Sequence, residues 1–366
     1  MQGNEKQMLL DPWGDVEIKN YKKLFSEFGL KQFPENWKKE LNHYLFERGV
    51  VIAHRDFDKI MERIREKKEF IVMTGIASSG KLHLGHKMII DLVKHFKKFK
   101  AKIFFCIADI DAYTTREKIK TMEEAKKFAL ENIANVLALG LKKRDIYLQS
   151  KKEPRYFELA FEISKKFTFA ELSAIYGELT PGKLAANYLQ YADILHPQLP
   201  EYCGAIPSVT PVALDQDPHI RAVRDVSRKL PYKFTLPTSI YIVHQSGLKE
   251  GSKMSSSKPE TAIFLTDSPE EAKRKIFRAF TGGKGTIEEQ KKLGGNPSIC
   301  KVYEIYKYHH PNSKFVKEIY MKCTSGDLIC GECKKMCAEF IAKLLKLHRK
   351  KFEKNLKKAE KIVWGE

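Results

Sequence analysis

The sequence predicts a doubly wound parallel α/β domain with a helical insertion, followed by an all-helical domain. Three observations predict it. Between residues 69 and 148, short β-type apolar runs alternate with helical segments, the rhythm of a parallel sheet covered by crossover helices. That rhythm breaks over about 151–205, where helical and Pro-containing segments intervene, and returns at Val209–Leu214 and Ile240–Val243. After Asp267 no strand signal remains.

Taken in order, residues 1–68 read as a polar, mostly helical lead-in, with helical spacing of apolar residues from Phe57 to Ile64. Phe70-Ile71-Val72-Met73 is a short strand entering a loop, Thr74–Leu82, and then a helix from about His83 to Lys98. Ile103–Ile107 is a second strand, Met122–Leu139 a second helix and Ile146–Leu148 a third strand. Residues 268–366 end in a long helix whose apolar stripe runs Phe340, Leu344, Leu347, Phe352, Leu356, Val363. The expected domains are 1–68, 69–267 with its insertion, and 268–366, a division that 366 residues accommodate.

An apolar fraction of 43% with 31% charged residues fits a folded, soluble chain. No window is apolar for the length of a membrane span. The polar start, MQGNEKQM, lacks the apolar stretch of a signal peptide. A cytoplasmic protein without membrane contact is expected. Sixty-six basic against 46 acidic side chains give a formal charge of +20. Such a field suits polyphosphate partners, although solvated lysine faces produce the same excess. From Lys334 onward eleven Lys and Arg stand against four Glu, which fits an RNA-facing helix or a solvated one.

Two motifs carry chemistry. Thr74-Gly75-Ile76-Ala77-Ser78-Ser79-Gly80-Lys81-Leu82-His83-Leu84-Gly85-His86 lies where a strand passes into a helix. There glycines admit a polyanion to the backbone and the helix N-terminus offers free N–H groups. His83 and His86 share one face of the first turn, as phosphate donors or merely as helix caps. Gly251-Ser252-Lys253-Met254-Ser255-Ser256-Ser257-Lys258 puts a cation on a Gly/Ser-rich loop after the strand Ile240–Val243. Alone it would also pass for a solvated linker. Together, in this order, the two resemble the HIGH and KMSKS signatures of class I aminoacyl-tRNA synthetases.

The resemblance implies a Rossmann-like catalytic domain and ATP, carried with Mg2+, as a substrate. An ionised amino-acid carboxylate would attack the α-phosphorus in line, so catalysis is positioning plus stabilisation of charge on the phosphates. It implies catalytic roles for His83, His86, Lys253 and Ser255. Thr74, Gly75, Gly85, Ala213, Gln216 and Met254 would be further ATP contacts.

Val212-Ala213-Leu214-Asp215-Gln216-Asp217-Pro218-His219-Ile220-Arg221 closely resembles a strand-turn-helix of tryptophanyl-tRNA synthetases of archaeal and eukaryotic type. So do Asp11-Pro12-Trp13, Phe264-Leu265-Thr266-Asp267 and Gly294-Gly295-Asn296, and the likeness spans about 10–350. It implies L-tryptophan and tRNA(Trp) as substrates, a helical anticodon-binding domain, and a homodimer with one tRNA reaching across both subunits. Asp11-Pro12-Trp13 would cover the ATP site. Gln190 and Asp193 are three apart on a helix and share a face. The Gln190 position contacts the substrate's amino end in the family, and the Asp193 position receives the indole N–H in bacterial relatives. Asp111 matches an acidic indole contact of the eukaryotic enzymes. Met73 and Cys106 stand where the eukaryotic pattern has Tyr and Gln, which leaves the division between Asp111 and Asp193 open. Two alternatives remain. Tyrosyl-tRNA synthetases share the Gln-x-x-Asp pair but carry Tyr at the Met73 position and lack the Asp-Gln-Asp-Pro turn. A tRNA-binding relative without catalysis has no need to keep His83, His86, Gln216 and Lys253 together.

Cys300, Cys323, Cys330 and Cys333 are spaced C-x22-C-x6-C-x2-C. Four thiolates brought near one another suit a [4Fe–4S] cluster or zinc, and buried free thiols are the third reading. A subset of tryptophanyl-tRNA synthetases carries this spacing with a [4Fe–4S] cluster in the helical domain, which implies the cluster here. Because these cysteines lie far in sequence from both nucleotide motifs, their loss is expected to weaken tRNA charging and spare amino-acid activation. Cys106, Cys203 and Cys337 are expected to be unliganded.

Overall fold

The computed structural model describes Phe25 and residues 28–365. Among the described residues seven strands form one sheet: β1 Lys31–Gln32, β2 Val51–Arg55, β3 Phe70–Ala77, β4 Ala101–Ala108, β5 Ile146–Leu148, β6 Ser208–Ala213 and β7 Thr238–Ile242. Their order is β1-β2-β7-β6-β3-β4-β5. The five strands from β7 to β5 run parallel, while β2 pairs with β7, and β1 with β2, antiparallel. The expected doubly wound fold is therefore present, with a two-stranded antiparallel edge taken from the lead-in.

That edge is a departure from the helical reading of 1–68. Val50-Val51-Ile52-Ala53 follows Gly49, whose φ of 65° breaks the preceding helical turn. Periodicity alone does not separate so short an apolar run from a buried helix segment. Asp58–Arg65 does form the helix expected there.

β3 separates two cores. Phe70 and Val72 on one face join a cluster with Ile133, Val136, Val302, Ile305, Ile341 and Leu345. Ile71 and Met73 on the other face pack with Cys106 of β4 and with Tyr156, Leu159, Tyr191 and Leu195 of the insertion. A strand buried on both faces reads as a continuous apolar run, which is why β3 was legible.

The insertion folds as the helices Pro154–Ser164, Phe169–Tyr176 and Pro181–Leu195. Thr168 opens the second, accepting from the Glu171 N–H at 3.1 Å, and Thr180 followed by Pro181 opens the third. Beyond Asp267 the described residues form only helices, ending in Cys330–Val363. That last helix packs along the Met122–Leu139 helix of the sheet domain, where His348 Nε2 meets Asn135 Oδ1 at 2.7 Å. One core thus runs through the 267/268 boundary. The terminal stripe holds except at Leu347, which is 54% exposed; the helix turns Leu345 and His348 inward instead.

Candidate active site

The first motif begins inside β3. Thr74–Ala77 complete the strand, so the loop is Ser78–Leu82 and shorter than expected. His83 caps the Leu84–Phe96 helix, and its backbone N–H donates to His86 Nδ1 at 3.2 Å. The two rings stand 3.9 Å apart between centroids. Gly85 leaves room for that arrangement, since a Cβ there would lie 3.0 Å from the His83 ring. Burial lowers both imidazole pKa values, His83 far down and His86 to about 4, and nearby imidazoles add to the shift. Both rings are therefore neutral N–H donors at neutral pH. Buried His83 Nδ1 has no partner among the described residues.

The second motif hangs from a narrow hairpin after β7. Ser246 and Lys253 form an antiparallel bridge, and the Gly247 N–H donates to the Ser252 carbonyl at 2.6 Å. A Cβ on Gly247 would lie 2.7 Å from the Lys253 carbonyl oxygen, so the closure requires glycine. The two motifs touch: the Ser256 hydroxyl donates to the Lys81 carbonyl at 2.9 Å. The Leu84 N–H donates to the Ile263 carbonyl at 3.0 Å and the Leu265 N–H to Leu82 at 2.8 Å. This loop is not a free linker. Ser255 Oγ pairs with Ser257 Oγ at 2.9 Å, and Met254 is buried in the core as the loop's anchor.

Between β3 and β6 the strand order reverses, and the Thr74 hydroxyl bridges them by donating to the Pro211 carbonyl at 3.0 Å. A crevice at such a switch point, beyond the carboxyl ends of the strands, is where open α/β sheets bind ligands. Here it holds a cavity of about 260 Å³ lined by Met73, Thr74, Gly75, Asp111, Gln190, Asp193, Ala213 and Gln216, with Cys106 beside them. Lys253 lines an adjoining cavity of about 460 Å³ with Asp215 and Ser252. His244 lines both. His83, Gly85, His86, Met254 and Ser255 line neither. The Asp11-Pro12-Trp13 segment lies outside the described residues.

Asp193 is buried and fully engaged. It accepts from the Tyr147 hydroxyl at 2.7 Å, the Tyr156 hydroxyl at 2.7 Å and Gln149 Nε2 at 3.0 Å. Burial lifts its carboxyl to about 7 despite those donors. Among the described residues, Asp111 receives only the Thr115 hydroxyl, at 3.3 Å, on its carboxylate; burial raises it and Arg116 pulls it back. Gln149 joins the two, accepting from the Asp111 N–H at 3.1 Å while donating to Asp193. Tyr147, Gln149 and Tyr156 were not anticipated. Gln149 directly follows β5, so the rule that ligands gather at the carboxyl ends of parallel strands would have found it. Asn187, one turn before Gln190, lines the same cavity with neither amide atom partnered among the described residues.

Cys300, Cys323, Cys330 and Cys333 line one small cavity with Val302, Ile319 and Leu328. Glycines cradle the sulfurs: a Cβ on Gly283 would lie 2.6 Å from Cys330 Sγ, and one on Gly295 2.8 Å from Cys323 Sγ. Burial and the neighbouring thiols push Cys323 up to about 11 and Cys333 to about 12. Among the described residues no three His, Cys, Asp or Glu side chains converge tightly enough for a single metal ion. Cys337 is buried outside this cavity.

A family model described as tRNA synthetases class I (W and Y) matches residues 65–346. The tryptophan–tRNA ligase of Methanocaldococcus jannaschii is 45% identical over 373 residues, covering 98% of this chain and 99% of that one. That of Aeropyrum pernix is 44% identical over 366 residues, covering 97% and 96%. The crystal structure of the Aeropyrum pernix tryptophanyl-tRNA synthetase superposes with a TM-score of 0.87 at 44% identity, covering 97% of this chain and 98% of that one.

Proposed function

The chain belongs to the class I tRNA synthetases of the tryptophan and tyrosine group and is a tryptophan–tRNA ligase, and from that premise we propose how its residues divide the work. One observation carries the proposal: a single crevice at the sheet's switch point gathers Met73, Thr74, Gly75, Asp111, Gln190, Asp193, Ala213 and Gln216 and opens beside Lys253. Tryptophan lies toward Asp111 and Gln190, and adenosine lies toward Thr74, Gly75, Ala213 and Gln216.

The amino-acid carboxylate is ionised at neutral pH, so adenylate formation needs no general base. ATP brings Mg2+ as part of the substrate. His83 and His86 donate N–H bonds to the phosphates, and Gly85 keeps the backbone close. Ser255 and Met254 hold the loop from which Lys253 meets charge developing on the departing pyrophosphate. Asp193, filled by three donors, fixes Gln149 and the two tyrosines. Asp111, with acceptor capacity to spare, takes the indole N–H. A buried polar contact of that kind rejects substrates lacking it by roughly 10⁴–10⁵.

In the second step a ribose hydroxyl of tRNA(Trp) displaces AMP. We assign residues 69–267 to catalysis and 268–366 to the anticodon side of the tRNA. A second copy of the chain completes a homodimer, as in the family, and the insertion, which exposes Phe161 and Phe169 on its helices, is the part we assign to that contact. No described helix is long and apolar enough to cross a membrane. The four cysteines hold a [4Fe–4S] cluster that, when bound, ties the helices of this domain together. What supports that reading is the donor set itself, four thiols lining one small cavity.

The test is exchange of labelled pyrophosphate into ATP. Tryptophan should support it and tyrosine should not; equal exchange with tyrosine would overturn the pocket assignment.

A further inference from the structure

The segment between β7 and the lysine loop is held from outside the sheet domain. Ser246, which bridges to Lys253, donates its N–H to Glu304 at 2.7 Å and its hydroxyl to the same carboxylate. Lys301 Nζ reaches the Ser246 hydroxyl at 2.7 Å and lies 3.7 Å from Glu304. One residue earlier, buried Gln245 accepts from His309 Nε2 at 2.7 Å. Lys301, Glu304 and His309 all belong to the Lys301–His309 helix of the helical domain. Two consecutive residues at the root of the loop are thus pinned by one helix.

We propose that Glu304 is a positioning residue for amino-acid activation, clamping the root of the lysine loop so that Lys253 meets the phosphates at a fixed distance. The physical case is one of leverage. The hairpin is closed at Gly247–Ser252, so a shift of Ser246 carries Lys253 with it. A charge whose stabilising effect acts in the transition state loses that effect when displaced by about an ångström. A carboxylate accepting two donors from one residue is a directional hold that an apolar contact does not supply. The clamp also reaches the cysteines. Cys300 caps the same helix, accepting from the Tyr303 N–H at 3.5 Å, and lines both the four-cysteine cavity and the cavity of Lys253.

The proposal rests on the role assigned to Lys253, and a double-mutant cycle separates the two. With the full chain, kcat for tryptophan-dependent pyrophosphate exchange and the tryptophan Kd are measured for Lys253→Ala, Glu304→Ala, the double variant and Glu304→Gln. Glu304→Ala should lower kcat about tenfold or more with the tryptophan Kd within about twofold of the parent. In the Lys253→Ala background the same change should cost less than about twofold, because the residue it acts through is gone. Glu304→Gln, which keeps an acceptor oxygen for Ser246, should recover most of the rate. If Lys253→Ala exchanges at the parent rate, the role of Lys253 fails and the clamp with it. If Lys253→Ala is slow but folded Glu304→Ala is not, only the clamp is overturned. Equal losses in both backgrounds, or a tryptophan Kd that worsens in step with kcat, also overturn it, since those mark a general structural support. Should Glu304→Ala not fold, Ser246→Ala removes one of the two donors and should lower kcat about threefold by the same route; a parental kcat there overturns the clamp.

Discussion

Removing the Asp193 carboxyl probes the proposed amino-acid pocket at a buried point held by three donors. In Asp193→Ala, Tyr156 keeps the Leu189 carbonyl as an acceptor at 3.1 Å, so the Tyr147 hydroxyl and one Gln149 N–H are left unpaired. At about 1–3 kcal/mol for each buried orphan, the variant loses on the order of 2–6 kcal/mol of stability. The carboxyl's own burial works in the opposite sense. Its pKa rises from 3.8 in the unfolded chain to about 7 in the fold. Above pH 3.8 the unfolded chain has released the proton while the folded chain keeps it, so the parent loses stability as pH climbs toward 7 and nothing further beyond. The variant lacks that dependence. At about 1.4 kcal/mol per pKa unit, the gap between parent and variant should shrink by roughly 2–3 kcal/mol from pH 5 to pH 8. Urea unfolding at both values measures the gap, and calorimetry gives the tryptophan Kd, expected to worsen about tenfold because Gln149 is loosened. Unchanged stability with a Kd at least a hundredfold worse would refute the reasoning. Asp193 would then hold the indole directly, and Asp111 would be the bystander.

Other outcomes follow from the same geometry. Burial depresses His54 and His348 to about 4, and His196 and His219 to about 3. The unfolded chain takes up protons at these sites below 6.5 and the folded chain does not, so stability present above 6.5 should fall by up to about 1.4 kcal/mol per pH unit for each on acidification. A melting temperature flat between pH 6.5 and 5 would contradict this. Lys350, Lys354 and Lys357 are exposed on the terminal helix, and neutralising all three should reduce the salt dependence of tRNA affinity; an unchanged slope would place the RNA surface elsewhere. Protein purified without oxygen should be brown and hold about four irons per chain, with Cys323→Ser bleaching it. Colourless protein with one zinc would replace the cluster but keep the donor set, and absence of both metals would leave the cysteines as core thiols.

The parallel core of the fold was legible because its strands are buried on both faces. Phe70–Met73 and Ile103–Ile107 are unbroken apolar runs on neighbouring strands of the sheet. β1 and β2 were not legible, since the two-residue edge strand is fixed by its pairing to β2, the five-residue β2 by its pairing to β7, and neither by anything local. The same contrast runs through the site. Residues supplied by a motif, such as His83, His86 and Gln216, announce themselves by spacing. Tyr147, Gln149 and Tyr156 act through a carboxylate more than 35 residues away in the chain, and only the folded crevice brings them to Asp193.

Distance along the chain and proximity in the fold part company at the cysteines. Lying beyond residue 299 and remote from both nucleotide motifs, they were expected to serve tRNA charging alone. Yet Cys300 stands at the head of the helix whose Glu304 holds Ser246, and it lines the same cavity as Lys253. A change in the four-cysteine site that shifts this N-cap therefore moves the root of the lysine loop as well. Loss of Cys323 should then reach activation in proportion to how far the Lys301–His309 helix is displaced, and Cys300→Ser, which alters the cap itself, should reach it more. The helical domain also shares a continuous core with the sheet domain through the Cys330–Val363 helix. A movement of the helical domain against the sheet domain therefore loads that helix and the clamp behind it.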